Sequence, residues 1–138
     1  MTDDDTAGPV KPEQVNFKPV ILDVNALMAP FQFGINIDAE LEKIVPERKA
    51  VVPLSVLREL EVLNRKGGNW RVKAAIDLAR KYPVIDIKGK GDSPIFNLAV
   101  NMKWPVVTND RRLRNKLVER GIPVVFLRDR GHLELTGI

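Results

Sequence analysis

The feature that most constrains the fold of this sequence is the regular alternation of short apolar runs with longer segments of helical pattern. Apolar runs at residues 17–22, 49–52, 83–87, 106–108 and 123–127 predict five strands. The segments between them predict helices over residues 38–44, 53–64, 69–81, 92–103 and 110–121, whereas Pro30 and Gly34 predict a loop. Strands that alternate with helices pair in parallel. We therefore expect an α/β fold, a three-layer α/β/α sandwich around a central, mainly parallel sheet.

The length of the chain, 138 residues, suits one domain. Residues 1–16 are polar and contain Gly8, Pro9 and Pro12, which predicts a disordered N-terminal tail. The folded domain is therefore expected to span residues 17–138.

The charge of the chain and the residue types that it lacks narrow the classes of function. The formal net charge is +4, which favours a polyanionic partner such as nucleic acid. There is no Cys, which excludes disulfides, thiolate metal ligands and a Cys nucleophile. No apolar run reaches the roughly 20 residues of a membrane span, and the N-terminus has no signal-peptide pattern. We therefore expect a cytoplasmic protein that does not bind membranes.

Four acidic residues are expected to meet at one edge of the predicted sheet, because ligands bind beyond the carboxyl ends of parallel strands. Asp23 follows the first strand, Asp92 begins the helix after the third, and Asp110 follows the fourth. Glu59 lies one or two turns into the helix after the second strand. Asp92 and Asp110 also suit helix N-caps, and Glu59 suits a solvated helix face. Together the acids predict a metal site, because clustered carboxylates repel one another unless a cation holds them.

The ligand chemistry indicates the metal. Oxygen ligands, without Cys and with a single His, favour Mg²⁺ or Mn²⁺ over zinc. Two such ions about 4 Å apart can activate a water and stabilise the leaving oxygen in phosphodiester cleavage. Helical periodicity leaves the choice between Glu59 and Glu61 open, because both flank the predicted buried stripe of their helix.

Four motifs carry a resemblance to a known family. The chain resembles the PIN-domain nucleases over about residues 17–135. The resemblance rests on four motifs, which occur in this order: ILDVN, VVPLSVLRELEVL, GDSPIFNLA and VTNDRRLRNKL. The chain is most similar to archaeal PIN proteins related to the rRNA-processing PIN endonucleases. The resemblance implies a divalent-metal-dependent endoribonuclease that hydrolyses structured RNA, with rRNA processing as one role. Many rRNA-processing members carry a second acid directly after the third one, where this chain has Ser93.

The resemblance also implies roles for single residues. The catalytic acids, which are also the metal ligands, are implied to be Asp23, Glu59, Asp92 and Asp110, and this chooses Glu59 over Glu61. The polar residues that support these acids are implied to be Asn25 and Thr108.

Basic side chains beside the predicted metal site are the expected RNA contacts. They are Arg65, Lys66, Lys88, Lys90, Arg111 and Arg112. We expect both Trp70 and Trp104 to pack in or near the core rather than to stack on bases.

Other functions remain open to this sequence. The same site suits a toxin-type ribonuclease of a toxin–antitoxin pair, and a non-catalytic RNA-binding scaffold is a further alternative. A receiver-like signalling domain is disfavoured, because Ile21 and Leu22 stand where that fold has an acidic pair. RNA is the expected partner, and a homodimer, a ribosome-assembly factor or an antitoxin are further candidates.

Overall fold

The computed structural model describes residues 8–129 and 131–136, and a six-stranded sheet forms the centre of this part. The strands are β1 (Pro19–Leu22), β2 (Lys49–Pro53), β3 (Val84–Ile85), β4 (Val106–Val107), β5 (Val124–Arg128) and β6 (His132–Thr136). Their order is β3-β2-β1-β4-β5-β6, with β6 antiparallel to β5 and all other pairs parallel. The predicted mainly parallel sheet is confirmed.

Six α-helices of the described residues cover this sheet. They are α1 (Val24–Phe33), α2 (Ile37–Ile44), α3 (Leu54–Arg65), α4 (Trp70–Ala79), α5 (Ser93–Met102) and α6 (Arg111–Glu119). Helix α1 contacts α2, α3 and α4, whereas α5 contacts α6. Crossovers between parallel strands are right-handed. The connections from β1 to β3, which contain α1–α4, and those from β3 to β5, which contain α5 and α6, run in opposite directions across the sheet. The two groups of helices therefore lie on opposite faces. The predicted three-layer α/β/α sandwich is therefore confirmed.

Helix α1 is the largest difference from the predicted elements, because a loop was expected around Pro30 and Gly34. Asp23 caps the helix, and Ala26 and Leu27 on its inner face are buried. A proline normally argues against a helix interior. The segment also has no charged residue, so it lacks the alternation of polar and apolar positions from which a helix is predicted. Gly34 ends the helix with φ 71°, in the left-handed region that favours glycine.

The second helix starts at a different cap from the predicted one. The side chain of Asn36, rather than that of Asp38, accepts a hydrogen bond from the Ala39 N–H at 3.0 Å. Asp38 instead accepts a hydrogen bond from the Tyr82 hydroxyl at 2.7 Å. Both residue types suit an N-cap, so the sequence alone could not separate them.

Strand β6 was absent from the predicted elements. It forms a hairpin with β5 in which Val125 faces Leu135, and Asp129 in the turn has φ 54°. The turn lacks the Asn-Gly or Asp-Gly pair that indicates a tight hairpin from sequence. The buried Leu133 donates its backbone N–H to Glu40 Oε1 of α2 at 3.1 Å. The last strand is thus joined to an early helix.

Residues 8–16 differ from the predicted disordered tail, whose residues 1–7 lie outside the described part of the chain. Val10 donates its N–H to the Val84 carbonyl at 2.8 Å and accepts from the Asp86 N–H at 2.7 Å. Val15 packs against the core. These contacts cover the edge strand β3, whose polar backbone groups would otherwise lack partners.

The central pair of strands positions the functional edge. β1 and β4 are neighbours, and the connections that leave them run in opposite directions across the sheet. In open parallel sheets, the crevice at this kind of switch point is where ligands bind. Within the described residues, no helix is both long and apolar enough to cross a membrane.

Candidate functional site

Two of the predicted acids follow the adjacent strands at this switch point. Asp23 comes directly after β1, and Asp110 comes shortly after β4. The Asp23 backbone N–H donates to the Val107 carbonyl at 3.3 Å, so the two strand ends lie side by side. The order of the parallel strands therefore brings these two acids from distant sequence positions to one edge.

The Asp23 side chain is buried, with 6% of its surface exposed. Its Oδ1 accepts a hydrogen bond from the Ala26 N–H at 2.8 Å, which caps α1. Burial raises the pKa of Asp23 from its ordinary 3.8 to about 7; the Thr108 and Ala26 hydrogen bonds lower it, and the charges of Asp92 and Asp110 raise it. Near neutral pH, this carboxyl is therefore divided between its protonated and its charged form.

Thr108 connects two of the acids. Its buried hydroxyl hydrogen-bonds the Asp23 carboxyl and accepts a hydrogen bond from the Asp110 N–H at 3.0 Å. One hydroxyl can do both because it has one donor and two acceptor sites. The other predicted supporting residue, Asn25, is exposed in the first turn of α1, and none of the described hydrogen bonds joins its side chain to the acids.

Asp92 and Asp110 are hydrogen-bonded to each other at the starts of α5 and α6. Asp110 Oδ1 accepts from the N–H groups of Arg112 at 2.9 Å and Leu113 at 3.1 Å, and these donors help to lower its pKa. Burial and the neighbouring Asp110 raise the pKa of Asp92. Asp110 is thus also a helix cap, whereas the Asp92 side chain makes no cap hydrogen bond.

The two candidate glutamates of α3 have different surroundings. Partial burial, and after it the charge of Asp92, raise the pKa of Glu59. The Glu61 carboxylate instead forms an ion pair with Arg80, with Nη2 and Oε2 3.3 Å apart. Asp92 thus has electrostatic contact with all three other predicted acids. The structure brings the four predicted acids together and leaves Glu61 outside the group.

The chemistry of this group fits a divalent cation. A buried carboxylate is costly without a cation, and among the described residues the groups with the largest effects on the pKa of Asp23 include no Lys or Arg. The side chains do not form a closed site by themselves, since no three His, Cys, Asp or Glu of the described residues are arranged to hold a metal ion. The donor atoms therefore suit the ion, whereas their arrangement is not that of a preformed cage.

The predicted RNA-contacting residues divide into two places. Four of them line one groove beside Glu59, about 750 Å³ in volume: Arg65, Lys66, Lys88 and Lys90. Arg111 and Arg112 are exposed at the start of α6, and the charge of Arg112 lowers the pKa of both Asp92 and Asp110. The basic side chains therefore lie on both sides of the acids.

The two tryptophans have different environments. Trp104 is buried in the core, with 7% exposed, as expected. The expectation for Trp70 is wrong, because 62% of its surface is exposed. Its ring packs edge-on against Phe31, and the Arg71 guanidinium lies 5.0 Å from its centroid. Helix α4 presents this residue at its first turn, outside the buried stripe.

The sequence analysis did not single out two polar residues of the groove. Ser55 and Arg58 line it from α3, together with Glu59. Helical spacing carried the signal, because Ser55, Glu59 and Val62 stand at i, i+4 and i+7 on one face. The spacing shows only that Ser55 shares a face with Glu59. The residue type does not indicate a function, because a serine beside the buried face of a helix is common.

Comparisons with known proteins agree with this geometry. A family model described as a PIN like domain matches residues 20–130. Ribonuclease VapC4 of Methanocaldococcus jannaschii is 32% identical over 127 residues, covering 86% of this chain and 97% of that protein. Ribonuclease VapC9 of Archaeoglobus fulgidus is 30% identical over 112 residues, covering 79% of this chain and 82% of that protein. The resemblance inferred from the four motifs is therefore confirmed.

A solved structure shows the same fold. The PIN domain endonuclease Utp24 aligns with a TM-score of 0.73 at 22% sequence identity, covering 87% of this chain and 92% of that chain. The two chains thus share a fold, although fewer than a quarter of their aligned residues are identical.

Proposed function

This chain belongs to the family of PIN-like domains and is an endoribonuclease, and we propose that four of its acids hold a divalent metal ion for RNA hydrolysis. The acids are Asp23, Glu59, Asp92 and Asp110, and the ion is Mg²⁺ or Mn²⁺. The observation that carries the proposal is the buried Asp23 carboxyl, whose pKa is raised to about 7 beside two further acids. When bound, the metal supplies a water of lowered pKa and stabilises charge on the leaving oxygen.

The chain's own residues have separate tasks in this proposal. Asp23 and Asp110 are held in place by Thr108 and by the first turns of α1 and α6. Arg111 and Arg112, at the start of α6, bind the phosphate of the RNA backbone at the cleaved bond. Cationic side chains neutralise such phosphates. Asn25, exposed in the first turn of α1, would support the metal-bound water rather than the acids. The substrate is a structured RNA in the cytoplasm.

The cellular role has two candidates. rRNA processing is the first, and a homodimer or a ribosome-assembly partner would belong to it. The second is a toxin-type ribonuclease with an antitoxin partner, and it gains support because both archaeal relatives are VapC ribonucleases. A neighbouring antitoxin gene would favour the second candidate. A non-catalytic scaffold is the weaker reading, since all four acids are present.

A comparison of the two glutamates tests the site. We expect Glu59→Gln to reduce the cleavage of a labelled structured RNA in Mn²⁺ by more than about 100-fold, beyond the 10- to 100-fold typical of losing a residue behind a metal ligand. Glu61→Gln is the matched control, because it removes one charge from the same helix and the same groove, at a carboxylate that pairs with Arg80 rather than with the other acids. Equal activity of the two variants would show that Glu59 has no special role.

Thr108 provides a second test. Thr108→Val keeps the shape but removes the hydroxyl that contacts Asp23 and Asp110, so we expect cleavage to fall roughly 10- to 100-fold. Thr108→Ser restores the hydroxyl and should recover most of the activity. The measurement is the cleavage rate against Mn²⁺ concentration, which should shift to higher metal concentration for the valine variant. Full activity of the valine variant would contradict the positioning role.

A further inference from the structure

Lys116 of α6 lies beside the four acids without contacting any of them. It stands four residues after Arg112, so both side chains project from the same face of the helix. The charges of both residues lower the pKa of Asp92, and Lys116 has the larger effect of the two. In the part of the chain that the structure describes, Lys116 is exposed and forms no ion pair. Helix α6 therefore brings a positive charge to the acids that no carboxylate contacts.

An aromatic ring holds this ammonium in place. Lys116 Nζ lies 4.9 Å from the centroid of the Phe96 ring, within the roughly 6 Å at which a ring attracts a cation. Phe96 packs against the core from α5, and its backbone N–H donates to the Asp92 carbonyl at 2.9 Å. The ring is thus fixed one helical turn from Asp92, and it keeps the ammonium beside that carboxylate rather than on it.

A positive charge at this position opposes the proposed metal ion. Like charges repel, so a Lys beside Asp92 weakens the binding of a divalent cation to the acids. An anion that lies between the metal ion and the ammonium removes this conflict, because it attracts both. In a nuclease, the anion at the metal is the phosphate of the bond that is cleaved. The position of Lys116 is therefore favourable only when that phosphate is bound.

Hydrolysis develops negative charge where such a cation stabilises it. The oxygen of a water forms a bond to phosphorus and loses a proton to solvent. The bond from phosphorus to the leaving ribose oxygen breaks, and that oxygen takes up a proton from solvent. Between these states the charge is spread over the oxygens of the phosphate. A cation that is already in position stabilises this charge without exchanging a proton.

We propose that Lys116 is a catalytic residue whose ammonium, positioned by Phe96, binds the phosphate of the cleaved bond and stabilises the charge that develops on it. The proposal rests on the proposed function for the metal and for the reaction. Arg120 has no such role. Its guanidinium lies 5.7 Å from the centroid of the same ring, but it follows one turn further along α6, at the end away from the acids.

The rate of the cleavage step tests this role. In single turnovers of a labelled structured RNA in Mn²⁺, Lys116→Gln should cut roughly 100-fold more slowly, as when one group that stabilises a transition state is lost. Its affinity for the same RNA in EDTA should change by less than about threefold, because the contact forms mainly in the transition state. Lys116→Arg keeps the charge and should recover part of the rate.

Arg120→Gln is the matched control, because it removes one positive charge from the same helix and the same ring. We expect it to cut at the wild-type rate. An equal fall in rate for Lys116→Gln and Arg120→Gln would show a general loss of positive charge and would overturn the proposal.

The affinity for Mn²⁺ in the absence of RNA is a readout that does not depend on cleavage. Because Lys116 repels the ion, Lys116→Gln should bind Mn²⁺ roughly threefold more tightly or better, whereas Arg120→Gln should bind it like the wild type. A residue that only supports the acids would give the opposite result. Weaker binding of Mn²⁺ by Lys116→Gln therefore overturns the proposal.

Phe96→Leu tests how the ammonium is positioned. It keeps an apolar side chain at the core but removes the ring, so cleavage should slow while the melting temperature stays close to that of the wild type. Once Lys116 is Gln, adding Phe96→Leu should have little further effect on the rate, because both changes act through one ammonium. Additive losses would overturn the positioning by Phe96.

The outcomes separate this role from the proposed function. A wild type that cuts RNA while Lys116→Gln cuts at the same rate contradicts the role of Lys116 and leaves the proposed function intact. A wild type that cuts no RNA in Mn²⁺ or Mg²⁺ contradicts the proposed function, and the catalytic role of Lys116 with it.

Discussion

Replacing Asp23 by Asn is expected to abolish RNA cleavage and, at the same time, to stabilise the metal-free protein at pH 8. The amide keeps an oxygen for the Ala26 N–H, so α1 retains its cap. It removes a buried charge that the fold accepts at a cost, because the pKa of Asp23 is raised from 3.8 to about 7. At about 1.4 kcal/mol per pKa unit, this cost is roughly 4 kcal/mol at pH 8.

The pH dependence follows from the direction of that shift. The folded state holds the Asp23 proton up to about pH 7, whereas the unfolded chain releases it near pH 4. Between these values the unfolded state binds fewer protons, so the wild type loses stability as the pH rises. The Asn variant lacks this loss. The stability advantage of the Asn variant over the wild type should therefore be absent below pH 4, should grow between pH 4 and pH 7, and should stay constant above pH 7.

Urea unfolding at several pH values, with EDTA present, measures this effect. Asp77→Asn is the control, because Asp77 is exposed on α4, and we expect neither its stability nor its cleavage to change. A variant of Asp23 that is less stable than the wild type at pH 8 would contradict the account of the buried charge. Retained cleavage would remove Asp23 from the site.

The second large effect is the response of the folded protein to metal. At about 100 times its dissociation constant, a bound ion adds about 2.7 kcal/mol of stability, which corresponds to a rise in melting temperature of about 10 °C for a chain of this size. Burial raises the pKa values of Asp23, Asp92 and Glu59, so protons compete with the metal at low pH. The rise should be large at pH 8 and small at pH 5.5.

Thermal unfolding with and without Mn²⁺ at the two pH values tests this expectation. Asp110→Asn removes one proposed ligand and keeps a cap oxygen for α6, so it should lose most of the rise at pH 8. Removing the metal with EDTA should restore the melting temperature of the metal-free protein. A rise of equal size at both pH values would show that the metal binds elsewhere than at these acids.

The fold was largely predictable because its strands are apolar on both faces and its helices have clear starts. The sequence could not show α1, where a helix contains Pro30 and few polar residues. It could not show β6 either, because that strand depends on pairing with β5 and on the contact of Leu133 with Glu40. Both elements are stabilised by tertiary contacts rather than by a local pattern.

The site shows a similar division. Chain topology predicts that Asp23 and Asp110 meet, since each follows one of two neighbouring parallel strands. The choice between Glu59 and Glu61 needed the family resemblance, because periodicity treats them alike. Neither chain topology nor the family resemblance could predict that Ser55 is buried without a hydrogen-bond partner for its hydroxyl. That burial depends on how the loop between β3 and α5 covers the start of α3. The roles of the acids remain predictions for the experiments above.

The hydrogen bond between Glu40 and Leu133 joins residues that are 93 positions apart. It means that α2 packs against α1 but lacks its contact with β6 while the chain is being synthesised, until residues 132–136 have left the ribosome. Until then, β5 presents an unpaired edge of apolar residues, the kind of edge to which other chains add. A nascent or C-terminally shortened form of this protein is therefore the form that should depend on chaperones.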